Sequence, residues 1–192
     1  MTSSIQCILP PFILNQIAEQ GTPAQRNWAV QTLVVSEQTR QVRAEIMAAT
    51  IPTTPQPGDL PTRAAIFMDR VVYDAGHSGA LPGNKVRGEG DPASSDVTVN
   101  EAYDGAGATF NLYNHIYGRN SIDGLGMRIN STVHYQNQYD NAFWNGNQMV
   151  YGDGDESLPA NERLFNRFTI SIDVIGHELT HGVTQYTAQL NY

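Results

Sequence analysis

The pattern that most restricts this chain is His177-Glu178-Leu179-Thr180-His181. On an α-helix, residues four apart lie about 40° apart around the axis and one turn along. Both imidazoles then point the same way and can bind one Zn²⁺ at about 2.0–2.1 Å. Glu178 follows the first histidine directly, so it can reach a water held by the ion without ligating the metal. Its carboxylate can take a proton from that water during attack on a peptide carbonyl. Ile172, Val174 and Ile175 precede the pattern and predict a buried helix. A buried His-Glu-His without a metal is costly, which weighs against an amphipathic helix with two incidental histidines.

Three zones precede and surround this helix. In residues 1–50, Thr22-Pro23-Ala24-Gln25 reads as a helix start, with Thr22 as N-cap, Pro23 at the first helical position and Gln25 three residues after the cap. Ala24, Trp28, Val35, Val42 and Ile46 fall on one face of a helix of about 25 residues at most. No second helix of comparable length is evident in that zone, so the apolar stripe needs a partner elsewhere. Residues 51–63 contain Pro52, Pro55, Pro57 and Pro61 with Gly58 and read as an extended linker. In residues 64–192, Met127, Ile129, Ser131, Val133 and Tyr135 alternate with polar residues, as one half-buried strand would. Asp104-Gly105, Asp123-Gly124 and Gly152-Asp153-Gly154-Asp155 read as turns, with a calcium site as the other reading of the last run. Helical periodicity appears around residues 108–118 and 168–183. His77, His115 and His134 have no partner at ligand spacing and read as surface or strand histidines.

Charge and cysteine content narrow the function classes. The net charge of −8 arises after residue 50, since residues 1–50 carry three basic and three acidic side chains. A nucleic-acid binder would want the opposite sign. The single cysteine, Cys7, excludes an internal disulfide framework. No stretch approaches the roughly 20 apolar residues of a membrane span. The start lacks a basic region followed by a long apolar run, which predicts synthesis in the cytoplasm and any export by another route.

Three separated blocks resemble the thermolysin family of zinc metallopeptidases: Leu81-Pro82-Gly83 through Val99-Asn100-Glu101-Ala102-Tyr103-Asp104-Gly105; Asn141-Ala142-Phe143-Trp144-Asn145-Gly146 with Gln148 to Asp155; and Asp173 to Thr184. The first zone, with Cys7 and Pro10-Pro11-Phe12-Ile13-Leu14, resembles the short pro-segment of the protealysin-like branch. The resemblance implies an α+β fold: a strand-rich amino-terminal lobe carrying the active-site helix, preceded by a mainly helical pro-segment. It implies a peptide or protein substrate, no nucleic acid, and a preference for an apolar residue on the carboxyl side of the cut. His177 and His181 match zinc ligands and Glu178 the general base. Asn141 and Ala142 match residues that hold an extended substrate, Val174 a pocket residue, and Tyr192 a phenol that donates to the developing oxyanion. Asp173 matches a calcium ligand; a carboxylate bonded to its own helix or to a ligand histidine is the other reading. In the pro-segment, Pro10-Pro11 suits a stiff, extended occupant of the substrate groove. Cys7 could place a thiolate on the zinc or be a small buried apolar residue.

The family completes its zinc site with a Glu about 20 residues beyond the second histidine and adds a helical second lobe. This chain ends eleven residues after His181. The sequence is therefore read as a truncated member. A non-catalytic fragment acting as a zinc-binding or inhibitory module is the alternative function.

Overall fold

The structure, a computed structural model, describes residues 8–49 and 66–188. Cys7, the 51–63 stretch and Tyr192 lie outside these residues. The order is α1 (Pro11–Gln20), α2 (Pro23–Ala49), β1 (Arg70–Asp74), β2 (Asn84–Gly88), α3 (Val97–Tyr117), β3 (Ile129–Val133), β4 (Ala142–Trp144), β5 (Met149–Tyr151), a 3-10 turn (Phe168–Ile170) and α4 (Ile172–Ala188). The fold is α+β. One five-stranded sheet runs β2-β1-β3-β5-β4, parallel at β1–β3 and β3–β5 and antiparallel at both rims. The parallel pairs require crossovers, and the first of these carries α3.

Helix α3 begins where Asp96 accepts a hydrogen bond from the Thr98 N–H at 2.8 Å. It ends at Gly118, whose φ of 65° supplies a left-handed cap. Val99, Ala102, Tyr103, Ala106 and Phe110 form its buried stripe and pack with Ile175 and Leu179 of α4. The helix is longer than the 108–118 periodicity predicts, and Asp104-Gly105 lies inside it rather than in a turn. The reason is packing: a Cβ on Gly105 would lie 2.3 Å from Cδ1 of Ile175. Glycine here is the space that lets two helices approach.

Gly182 plays the same part between α4 and the sheet. A Cβ there would lie 2.6 Å from Ile122 Cγ2 and 2.9 Å from Trp144 Cε2. Gly182→Ala is expected to cost about 1–3 kcal/mol net, because overpacking against an indole outweighs the ~1 kcal/mol gained in helix propensity. The check is a lower denaturation midpoint at unchanged slope. A midpoint equal to the parent's would show that α4 shifts without cost.

Strand β3 is shorter than the predicted run from Met127 to Tyr135. His134 has a φ of 53°, which ends the extended backbone. The strand is also buried on both faces, with Ser131, Thr132 and Val133 all within 1% of full burial. Ile129, Val133, Ala142, Trp144, Met149 and Tyr151 face the α3–α4 side. On the opposite side, Phe143 and Val150 meet Tyr135, Tyr139 and Val35 of α2. Tyr135, Tyr139 and Phe143 meet edge to face, with ring centroids 5.4–5.9 Å apart.

Helix α2 is therefore the cover of that face. The predicted capping box is present: the Thr22 N–H donates to Gln25 Oε1 at 2.9 Å, and the Gln25 N–H to Thr22 Oγ1 at 3.4 Å. The helix runs 27 residues. Trp28, Ala29, Thr32, Val35 and Ser36 are buried, whereas Val42, predicted on the same face, is half exposed. The Ile46 side chain is outside the described set. Polar contacts fix the docking. The Asp140 N–H donates to Thr32 Oγ1 at 3.0 Å, Ser36 Oγ lies 3.3 Å from the Tyr139 hydroxyl, and Gln25 Nε2 donates to the Glu162 carbonyl at 2.7 Å.

One prediction for the first zone fails. Pro10-Pro11 is not an extended pair. Pro10 is extended (φ −71°, ψ 149°), but Pro11 is the first residue of α1. A proline at that position lacks an N–H that would be unpaired anyway, and its φ suits the helix. Helix α1 packs on α2, so α2 does have a helical neighbour in its own zone, shorter than itself.

Candidate metal centre and peptide cleft

Helix α4 carries the His-Glu-x-x-His pattern as the spacing requires. The Nε2 atoms of His177 and His181 lie 3.1 Å apart, with ring centroids at 4.8 Å and planes at 86°. Two nitrogens on one tetrahedral Zn²⁺ at 2.0–2.1 Å would be roughly 3.3 Å apart. The observed separation fits that donor set. Both rings line a cleft of about 550 Å³ walled by α3 and α4, with Leu112, Tyr113 and Ile172 among its residues. His177 is exposed and His181 only 8% so. The Tyr113 hydroxyl and Thr180 Oγ1, 2.8 Å apart, bridge the two helices at the cleft.

Glu178 is fully buried on the inner side of the same turn. Its Oε2 accepts the Trp144 N–H at 3.1 Å and lies 4.0 Å from His181 Nε2. A carboxylate taken out of water needs such donors. Trp144 is itself fixed, because its Nε1 donates to Gln185 Oε1 at 2.9 Å and Gln185 Nε2 donates to the Gly146 carbonyl at 3.2 Å. Sequence reasoning missed Gln185, one turn beyond His181. The only signal was a polar residue on the buried side of an apolar helix.

The other predicted residues separate into two groups. Asp173 is exposed in the first turn of α4 and lines the cleft. Among the described residues it joins no group of three or more potential ligands. Val174 is half-buried and packs against the core.

Asn141 and Ala142 are fully buried at the start of β4, the rim strand. Asn141 is clasped from outside. The Leu9 N–H donates to Asn141 Oδ1 at 3.2 Å, and Asn141 Nδ2 donates to the Leu9 carbonyl at 3.3 Å. The amide thus reads both main-chain groups of one residue, Leu9. Asn141 Oδ1 also accepts the Ala142 N–H at 2.9 Å, which locks the side chain. The strand that meets Leu9 at one end therefore holds Glu178 at the other, two residues after Ala142.

A second constellation was invisible in sequence. His77 and His134, read as isolated, come together with Asp153. Both Asp153 oxygens lie 2.9 Å from His134 Nδ1, and Oδ2 lies 3.4 Å from His77 Nδ1. His134 Nε2 is 2.8 Å from Asp96 Oδ2. The Asp153 hydrogen bond raises His134 to a pKa of about 9, against the opposing effect of burial and with further help from Asp96. The Gly152–Asp155 run makes its turn at Gly154 (φ 64°), yet it also aims two carboxylates. Asp155 Oδ2 accepts the N–H groups of Leu164 and Phe165. His115 is exposed in the last turn of α3.

The catalytic-domain model of thermolysin metallopeptidases matches residues 70–185. The chain is 41% identical over 185 residues to an "Extracellular metalloprotease" of Pectobacterium carotovorum subsp. carotovorum, covering 96% of this chain and 49% of that protein. It is 40% identical to "Protease PrtS" of Photorhabdus sp. (strain Az29), covering 96% and 47%. Among solved structures, the precursor of protealysin, a metalloproteinase from Serratia proteamaculans, superposes with a TM-score of 0.74 at 39% identity, covering 96% of this chain and 48% of that one. The chain spans about half the length of these relatives.

Proposed function

The chain belongs to the thermolysin family of metallopeptidases, and on that footing we propose that it supplies the metal-binding helix and substrate-binding strand of a zinc-dependent endopeptidase. The observation that carries this reading is the convergence of His177 and His181 Nε2 at 3.1 Å on the cleft, beside a buried Glu178 anchored to β4. Zinc, when bound, polarises a peptide carbonyl and makes water acidic enough to lose a proton near neutral pH. His177 and His181 would hold the ion through Nε2. Glu178 accepts a proton at its carboxylate, and the Trp144 N–H keeps that carboxylate in place. The resemblance gives Glu178 the role of base, so the third ligand is sought outside these residues. The role proposed for the phenol of Tyr192 likewise concerns a residue outside the described set.

Asn141 and Ala142 bind the main chain of an extended substrate by adding it along the rim strand. Leu9 makes that kind of contact from within the chain, so residues 1–50 are proposed as a pro-segment whose part at Ile8–Pro10 fills the groove. The proposed preference is for an apolar residue on the carboxyl side of the cut, with Val174 as a pocket residue. Calcium at Asp173 rests on the resemblance alone. The Pectobacterium relative's name supports action outside the cell.

A processed form that lacks residues 1–63 and carries the third ligand is expected to hydrolyse internal bonds ahead of apolar residues. That activity should be abolished by a zinc chelator and restored by added zinc. Hydrolysis indifferent to chelation would sink the metal reading.

A further inference from the structure

His77 and His134 are far apart in sequence but joined through the backbone, since the His77 N–H donates to the His134 carbonyl at 2.9 Å. Their side chains and Asp153 open into a cavity of about 340 Å³, also lined by Asn137, Gln138 and Glu156. It shares no lining residue with the α4 cleft. We propose that His77 Nδ1, His134 Nδ1 and the Asp153 carboxylate form a second metal site, for a borderline divalent cation of the Zn²⁺ type.

Three observations carry this. The three ligand atoms lie within 4.8 Å of one another, with Asp153 Oδ2 2.9 Å from one ring nitrogen and 3.4 Å from the other. Those two spacings bracket the roughly 3.3 Å edge of a tetrahedral zinc polyhedron. Next, His134 is oriented from behind. Its Nε2 faces Asp96 Oδ2 at 2.8 Å, while Asp96 Oδ1 is held by the Thr98 N–H as the cap of α3. A carboxylate on the far ring nitrogen is how proteins fix the tautomer of a metal-bound histidine. Finally, the His77 side chain is 51% exposed while those of His134 and Asp153 are 18% and 24% exposed. The site has one open side for entry of the ion and for a water as fourth ligand. Two imidazoles select Zn²⁺ and similar ions over Ca²⁺ and Mg²⁺, which take oxygen ligands. The ion takes the place of the proton shared by His134 Nδ1 and Asp153, and that proton leaves to solvent.

The competing account is a purely structural clamp in which a protonated His134 bridges Asp96 and Asp153. Such a clamp has no use for His77. The test is therefore zinc titration by calorimetry on the full chain, performed in a His177→Ala/His181→Ala background that removes the α4 pair. The expected result is one zinc per chain in that background, with affinity lowered at least tenfold by His77→Asn and by Asp153→Asn. Asparagine at position 77 tolerates the native φ of 58°. Asp96→Asn keeps a good helix cap and should weaken binding about 10- to 100-fold. If Asp153→Asn fails to fold, His77→Asn decides, with its chelated thermal midpoint within a few degrees of the parent's. No zinc bound in the double-alanine background, or binding indifferent to His77→Asn, overturns the proposal. Zinc lost only with the α4 histidines reports on that pair alone and also overturns it.

Discussion

Replacing Glu178 by Gln is expected to lower peptide hydrolysis by roughly 10²–10⁴-fold while zinc content stays nearly unchanged. The two effects separate because the residue is proposed as a base and not as a ligand. Glutamine is nearly isosteric, and its amide oxygen can still accept the Trp144 N–H that Glu178 Oε2 accepts at 3.1 Å. The fully buried side chain therefore keeps its position. What is lost is the ability to take a proton at neutral pH. Zinc measured by mass spectrometry and turnover on a peptide substrate, from one preparation of a form with the third ligand, give the answer. Turnover within a few-fold of the parent would remove Glu178 from the reaction. Loss of zinc together with activity would make it a ligand.

The second large effect is on stability. Asp140 is 4% exposed, and burial followed by the charge of Asp155 raises its pKa from 3.8 to about 8. The folded state keeps a proton on Asp140 across a range in which the unfolded chain has released it. Stability from this group is complete below about pH 4 and is lost as pH rises through 8. The slope within that window approaches 1.4 kcal/mol per pH unit. Asp140→Asn supplies a permanent N–H donor toward Asp155 and has no proton to lose. Its advantage over the parent should be near zero at pH 4 and on the order of a few kcal/mol at pH 8. Urea midpoints at pH 4, 6 and 8 measure it. Parallel curves for the two proteins would show that Asp140 does not hold its proton in the fold.

What was legible in the sequence was whatever had a local cause. The α4 motif announced itself because helical spacing alone brings His177 and His181 together. The start of α2 was legible because a capping box is a four-residue device. Asp104-Gly105 misled, since the same dipeptide serves a turn or a close helix crossing, and only Ile175 across the interface decides. Pro10-Pro11 misled because proline suits an extended run and a helix's first residue alike. His77, His134 and Asp153 could not be found by spacing. They meet only because β3 ends at His134 and the 152–155 turn folds back beside it. Asn141's partner had no spacing signal: the sequence pointed to the Pro10-Pro11 pair as occupant, whereas Leu9, the residue before it, makes the hydrogen bonds.

The docking of α2 has a consequence for competition. Thr32 and Ser36 fasten the helix to Asp140 and Tyr139, next to the residue that clasps Leu9. Leu9 is thus a tethered ligand, joined through α1 to a helix already bound beside its target. Tethering over a short span gives an effective local concentration on the order of millimolar. If Asn141 holds substrate as proposed, a free peptide would need to reach that level to displace it at equal intrinsic affinity. Two modest hydrogen bonds, of little worth between separate molecules, hold the rim strand closed because the loss of translational freedom has already been met by the burial of Trp28 and Val35.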